Sequence, residues 1–125
     1  MGVSDMKGIL VLAHGSREKD TENTLMEIIS MLKAELEECI IDIAFLQFNE
    51  VNLSKGLDKL VQEGVDDIKV IPCFLFDGVH IRKYIPKEIE EYLKDKPHIK
   101  IHLGRTIGAD ERLAAILADR VRELS

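Results

Sequence analysis

Hydrophobic positions along this 125-residue chain switch repeatedly between two periods, and the switches outline the elements. Gly8 to Ala13 is a continuous apolar run, the pattern of a strand buried on both faces. Leu25, Ile28, Ile29, Leu32 and Leu36 then recur at helical spacing, with Asp20 or Thr21 placed to cap that helix. Ile40 to Phe48 reads as a second strand. Asn52 is a cap for a helix carrying Leu53, Leu57, Leu60 and Val61, and Gly64 stops it because glycine accepts the left-handed C′ conformation. Ile68 to Ile71 is a third strand, with Pro72 limiting further ladder pairing. Pro86 fits the first turn of a third helix with Ile89, Tyr92 and Leu93 on one face. Ile99, Ile101 and Leu103 make a fourth strand. Leu113, Ile116, Leu117, Val121 and Leu124 stripe a last helix, whose positive end suits Asp110 and Glu111.

Strand and helix thus alternate four times, which predicts an α/β fold with parallel strands joined by right-handed helical crossovers. The expectation is one flavodoxin-like domain over residues 1–125, with residues 1–7 a flexible N-terminus. Its four-stranded parallel sheet would run in the order 2-1-3-4 with helices on both faces. That order sets the first and third strands side by side at the topological switch point, where ligands bind beyond the carboxyl ends of the strands.

Composition narrows the function classes. With 46% hydrophobic and 32% charged residues, the chain reads as a soluble globular protein. A formal net charge of -6 argues against nucleic acid as a partner, and any polyanionic substrate would need a locally basic site. Cys39 and Cys73 form no C-x-x-C and read as free thiols in a reducing cytoplasm. The N-terminus lacks a signal-peptide pattern, and no apolar run approaches the ~20 residues of a membrane span, so no membrane and a cytoplasmic location are expected.

Two histidines then stand out. His14 follows the first strand in His14-Gly15-Ser16-Arg17, and His80 follows the third in Asp77-Gly78-Val79-His80-Ile81-Arg82-Lys83. The predicted topology brings both to one crevice, where two imidazoles can hold a divalent ion or exchange protons near pH 7. Gly15 allows a tight turn, and the amides after it, with Arg17, suit a carboxylate or phosphate. The same segment also reads as an ordinary turn with a surface arginine. The Asp77–Lys83 stretch reads as a loop, long against the ~2–6 residues usual for such connections. Arg82 and Lys83 there either neutralise substrate carboxylates or are solvated. Phe74, Leu75 and Phe76 precede that loop, and at least two of them are expected in the core. His98 and His102 do not make a metal pair, because four residues of strand span ~13 Å. There is no Gly-x-Ser-x-Gly elbow, Walker A or Gly-x-Gly-x-x-Gly motif, and a receiver site would want acidic residues where His14 stands.

An ordered set of short segments resembles the small sirohydrochlorin chelatases, the CbiX-type class II tetrapyrrole chelatases. They are Val11–Arg17, Ala44–Leu46, Val70–His80, Ile85-Pro86 and Leu103–Leu113, covering the chain from Gly8 to about Glu123. The resemblance implies ATP-independent insertion of Co²⁺, Ni²⁺ or Fe²⁺ into sirohydrochlorin, with the metal as substrate and no tightly bound cofactor. It makes His14 and His80 both metal ligands and catalytic groups. Ser16, Arg17, Gly78, Arg82, Lys83 and Arg105 become the candidate substrate contacts. Longer members carry two such domains, so a single one implies a homodimer. This chain departs from the pattern at Gln47, where the family usually has an acid, at Val51 in place of proline, and at Tyr84 in place of an acid before Ile85-Pro86. Glu50 is retained, and Glu50 or solvent is expected to serve where the family's acid is missing, with His14, His80 or Glu50 accepting the macrocycle's protons. A non-catalytic metal or tetrapyrrole carrier is the alternative. A histidine phosphotransfer enzyme is a third reading, weakened because Ala13 stands where those enzymes have arginine.

Overall fold

The computed structural model describes residues 7–76 and 78–124. Four strands, β1 (Lys7–Ala13), β2 (Cys39–Phe45), β3 (Asp67–Pro72) and β4 (Lys100–Leu103), alternate with four helices, α1 (Lys19–Glu35), α2 (Leu53–Gln62), α3 (Val79–Leu93) and α4 (Glu111–Arg122). The sheet is parallel in all three pairings and ordered β2-β1-β3-β4, as the alternation predicts. The expected flexible terminus 1–7 falls outside the described residues except for Lys7, which already pairs with Cys39 and Asp67.

Side chains of β1 alternate between two cores, as the period of a strand requires. Leu10 and Leu12 join Leu53, Leu57, Leu60, Ile85, Ile89 and Tyr92 under α2 and α3. Ile9, Val11 and Ala13 join Leu25, Ile29, Ile41 and Phe45 under α1. From Gly8 to Ala13 the central strand is therefore apolar, because both of its faces are covered. Gly56 of α2 sits so close to the sheet that a Cβ there would meet Leu10 and Ala44 at 2.8 and 2.9 Å. Asn52 caps α2 as expected, its Oδ1 accepting from Lys55 N at 2.9 Å, and Gly64 ends it at φ 94°.

Three expectations are corrected. Helix α1 starts at Lys19, with Asp20 and Thr21 inside its first turn rather than at the cap. The cap position is Glu18, whose N–H donates to Ser16 Oγ at 3.0 Å. Strand β2 stops at Phe45, because Leu46 and Gln47 N–H turn to the Ala13 and His14 carbonyls and Phe48 is left-handed. Helix α3 begins at Val79, so Pro86 lies inside it rather than in its first turn. Pro86 gives no N–H to the ladder, but it is exposed and the helix runs past it. The expected Asp77–Lys83 loop accordingly ends at Gly78, and His80, Arg82 and Lys83 are helical. Helix α4 carries the expected apolar stripe and buries none of it: Ile116, Leu117 and Val121 remain 47%, 61% and 68% exposed.

Candidate active site

The site lies where β1 and β3 end side by side. Strand β1 delivers His14 just past Ala13, and the polypeptide is then fastened to the β2–α2 loop. Leu46 N–H donates to the Ala13 carbonyl at 2.9 Å and Gln47 N–H to the His14 carbonyl at 3.1 Å. Gly15 has φ 91°, and a Cβ at that position would collide with the Gln47 carbonyl oxygen. Glycine is thus required on two independent grounds, conformation and space. The His14 imidazole packs against the buried Phe74 ring, 4.5 Å between centroids and tilted by 37°.

Helix α3 delivers the second imidazole. His80 is its second residue and Tyr84 stands one turn later on the same face. His14, Leu46, Gln47, His80, Ile81 and Tyr84 line one cavity of about 430 Å³. The two histidines singled out in the sequence therefore do converge. On the α1 side of His14 lies a second cavity of about 420 Å³, which also reaches Thr21, Leu25, Phe45 and Cys73. Burial raises the Cys73 thiol above its ordinary pKa, so it stays protonated beside His14. The Tyr84 phenol is also raised, first by its hydrogen bond to Glu88. A further depression of about 850 Å³ lies at the amino ends of the strands among Glu35, Glu37, Glu38 and Asp67. It holds neither histidine and lies away from the carboxyl ends of the strands, where ligands bind in such sheets.

The remaining expected site residues separate. Arg82 and Arg105 line a neighbouring cleft of about 220 Å³ between α3 and the β4–α4 connection, sharing Ile81 with the histidine cavity. Arg17 is exposed, its guanidinium carbon 4.7 Å from the Phe48 ring centroid. Ser16 supports the start of α1 through its hydroxyl. Gly78 precedes α3 with nothing within 4 Å of where a Cβ would project. Lys83 and Glu50 are exposed and line neither cavity. Of the three residues before the second loop only Phe74 is buried, while Leu75 and Phe76 are 44% and 77% exposed at the rim. His102 is exposed and Nε2 lies 3.2 Å from Asp67 Oδ1, far along the sheet from His14. Among the described residues, no group of three or more His, Cys, Asp and Glu side chains is arranged to hold a metal.

Gln47 and Tyr84 entered the sequence reading only as departures, yet both line the cavity. Tyr84 would have followed from its i+4 spacing to His80 had the helix been extended past Pro86. Phe48 carried no sequence signal, because a left-handed aromatic residue is not announced by its neighbours.

A family model, CbiX, matches residues 8–124. The chain belongs to the CbiX family. It is 33% identical over 119 residues to the sirohydrochlorin cobaltochelatase of Sulfurisphaera tokodaii, covering 95% of this chain and 94% of that protein. It is 37% identical to the sirohydrochlorin cobaltochelatase of Priestia megaterium, covering 98% of this chain and 40% of that one. The sirohydrochlorin chelatase SirB from Bacillus subtilis subspecies spizizenii, solved in complex with cobalt, superposes with a TM-score of 0.86 at 29% identity. That match covers 94% of this chain and 50% of the SirB chain. This CbiX chain thus spans nearly the whole of one relative and half or less of two others.

Proposed function

We propose that this chain inserts a divalent metal ion into sirohydrochlorin without ATP, Co²⁺ first among Co²⁺, Ni²⁺ and Fe²⁺. The observation that carries the reading is the convergence of His14 and His80 on one cavity at the carboxyl edge of β1 and β3. Membership of the CbiX family and relatives named cobaltochelatases support the choice of reaction and of cobalt.

The chemistry follows from these groups. Imidazole is a neutral ligand suited to all three ions. Two imidazoles hold an ion while leaving its other positions to water and then to the macrocycle nitrogens. Insertion replaces two pyrrole N–H bonds by metal–nitrogen bonds and releases two protons. His14 and His80 are the bases in the cavity that receive them. Glu50, outside the lining, has the role of passing protons to solvent. Arg17, Arg82, Lys83 and Arg105 offset the chain's negative charge around the site and take the substrate's peripheral carboxylates, with Ser16 and Gly78 contributing at the loop backbones. No cofactor is held between turnovers.

The chain acts as a homodimer in the cytoplasm. An apolar stripe on α4 is exposed, and the α1-side face of β3 and β4 leaves Lys69, Ile71 and His102 exposed. Parallel sheets are ordinarily covered on both faces. A second copy supplies the cover, much as the longer relatives supply a second stretch of similar length. No helix among the described residues is long and apolar enough to cross a membrane.

The test is anaerobic incubation with sirohydrochlorin and each ion, followed by absorbance, for the parent and a His14→Ala/His80→Ala double variant. Insertion by the parent and its loss in the double variant are expected. Full insertion without both histidines would sink the assignment, and tight binding with no turnover for any ion would replace the enzyme by a carrier. Sedimentation of Leu117→Glu against the parent reads the dimer, which that charge should dissociate.

A further inference from the structure

Phe48 has φ 59°, and among the described residues it alone combines a side chain with a positive φ. Bulky residues rarely adopt that conformation, and where a fold enforces it the reason is often functional. Here the enforcement is visible. On one side, Gln47 N–H is tied to the His14 carbonyl and Gly15 is pressed against the Gln47 carbonyl. On the other, Val51 N–H donates to Asn49 Oδ1 at 2.9 Å and the Val51 carbonyl accepts from Phe45 N–H at 2.8 Å. The loop between has no slack, and it turns the Phe48 ring outward, 51% exposed.

The ring does not serve the core there. It faces Arg17, whose guanidinium carbon is 4.7 Å from the ring centroid. Arg17 makes no ion pair among the described residues, so its N–H donors are not committed to a carboxylate there. An aromatic face attracts the cation through its charge and leaves in-plane donors available. An arginine held in this way has already given up part of the rotamer freedom that anion binding would otherwise remove. Arg17 and Phe48 stand outside the lining but close in sequence to it: Gln47 precedes Phe48, and His14 lies three residues before Arg17.

We propose that Phe48 is a positioning residue, whose ring holds Arg17 beside the histidine cavity to receive a peripheral carboxylate of the tetrapyrrole. This rests on the metal-insertion reading and adds to it a residue that touches neither the metal nor the reacting nitrogens.

The experiment titrates sirohydrochlorin into metal-free protein, and then measures cobalt insertion, for the parent, Phe48→Leu, Phe48→Tyr, Phe48→Gly, Arg17→Gln and Arg17→Gln/Phe48→Leu. Phe48→Leu is expected to weaken binding about two- to fivefold, the range of an exposed cation–π contact, with the loss in KM rather than kcat. Phe48→Tyr keeps the aromatic face and recovers the affinity. Phe48→Gly suits the left-handed backbone, so it melts no lower than the parent yet binds like Phe48→Leu. In the Arg17→Gln background, Phe48→Leu has no further effect. Parent-like binding by Phe48→Leu, or the same loss with and without Arg17, overturns the proposal while leaving metal insertion intact. Phe48→Gly that melts well below the parent makes the ring structural and overturns it as well. A parent that neither binds nor metallates sirohydrochlorin is a failure of the functional reading itself, and the proposal falls with it.

Discussion

His14 leaves β1, buried from Gly8 to Ala13, on a fastened backbone, with its carbonyl bound to Gln47 N–H and its ring against Phe74. His80 reaches the same cavity from the opposite support, the exposed first turn of α3. Val79 beside it is 61% exposed, and Gly78 before it faces open space. The buried anchors of α3, Ile85, Ile89 and Tyr92, lie one to three turns further along. One imidazole is thus held in a fixed frame while the other stands where side chains have room. A chelatase needs this inequality: a flat macrocycle must enter, be metallated and leave, so at least one wall has to accommodate it.

The largest effects test the two imidazoles directly. His14→Ala and His80→Ala are each expected to lower kcat/KM for cobalt insertion by about 10²- to 10⁴-fold, the usual range for a positioned acid–base group. The glutamine variants sharpen the comparison. His80→Gln should retain more activity than His14→Gln, because the open turn of α3 lets a different donor be brought to the cavity. The opposite ranking in steady-state assays would show that the fixed support is the tolerant one.

Next come the two glycines that flank these histidines. Gly15→Ala forces a Cβ into the Gln47 carbonyl at a φ of 91°, and should cost about 3 kcal/mol or more, since strain and overpacking add. Gly78→Ala meets nothing within 4 Å at an ordinary φ of -80°, and should stay within about 1 kcal/mol of the parent. Denaturant midpoints measure both. Similar losses at the two positions would remove the distinction between a fastened and an open support.

Much of this was legible in the chain. The alternation of periods is enough for parallel strands with right-handed crossovers, and the flavodoxin-like order is one of the few arrangements that these leave. The two histidines follow from that order, since β1 and β3 adjoin at the switch point. What stayed hidden has specific causes. Pro86 reads as a helix start, yet an exposed proline is tolerated within α3, and this displaced His80, Arg82 and Lys83 from helix to loop. The stripe on α4 has the spacing of a core helix, but period reports that a face is apolar, not what covers it. The resemblance leaves Glu50 or solvent in the place of the missing acid, whereas the loop presents Gln47 to the cavity and Glu50 is outside its lining.

The smallest effect concerns the anchored end of α3. Tyr92 is 8% exposed, and its hydroxyl donates to Asp58 Oδ1 of α2 at 2.6 Å. Burial, and then the Asp58 carboxylate, raise the phenol well above its ordinary value. A raised folded-state pKa means that the contribution is fully present below the unfolded pKa of about 10 and is lost as pH climbs toward the folded value. Tyr92→Phe should therefore cost about 1 kcal/mol at pH 7, with the gap to the parent closing above about pH 10. Guanidinium midpoints across that range read it, and a gap constant to pH 11 would dissociate the phenol from the effect. Tyr92 is twelve residues from His80 in sequence, and such a spacing is about 18 Å of helix. Cobalt insertion by Tyr92→Phe at neutral pH should then stay within about twofold of the parent, since RT ln 2 is only about 0.4 kcal/mol on the barrier. A large loss of rate would mean that α3 carries His80 as one rigid body from its anchor, and the contrast between the two histidines would shrink to the first turn alone.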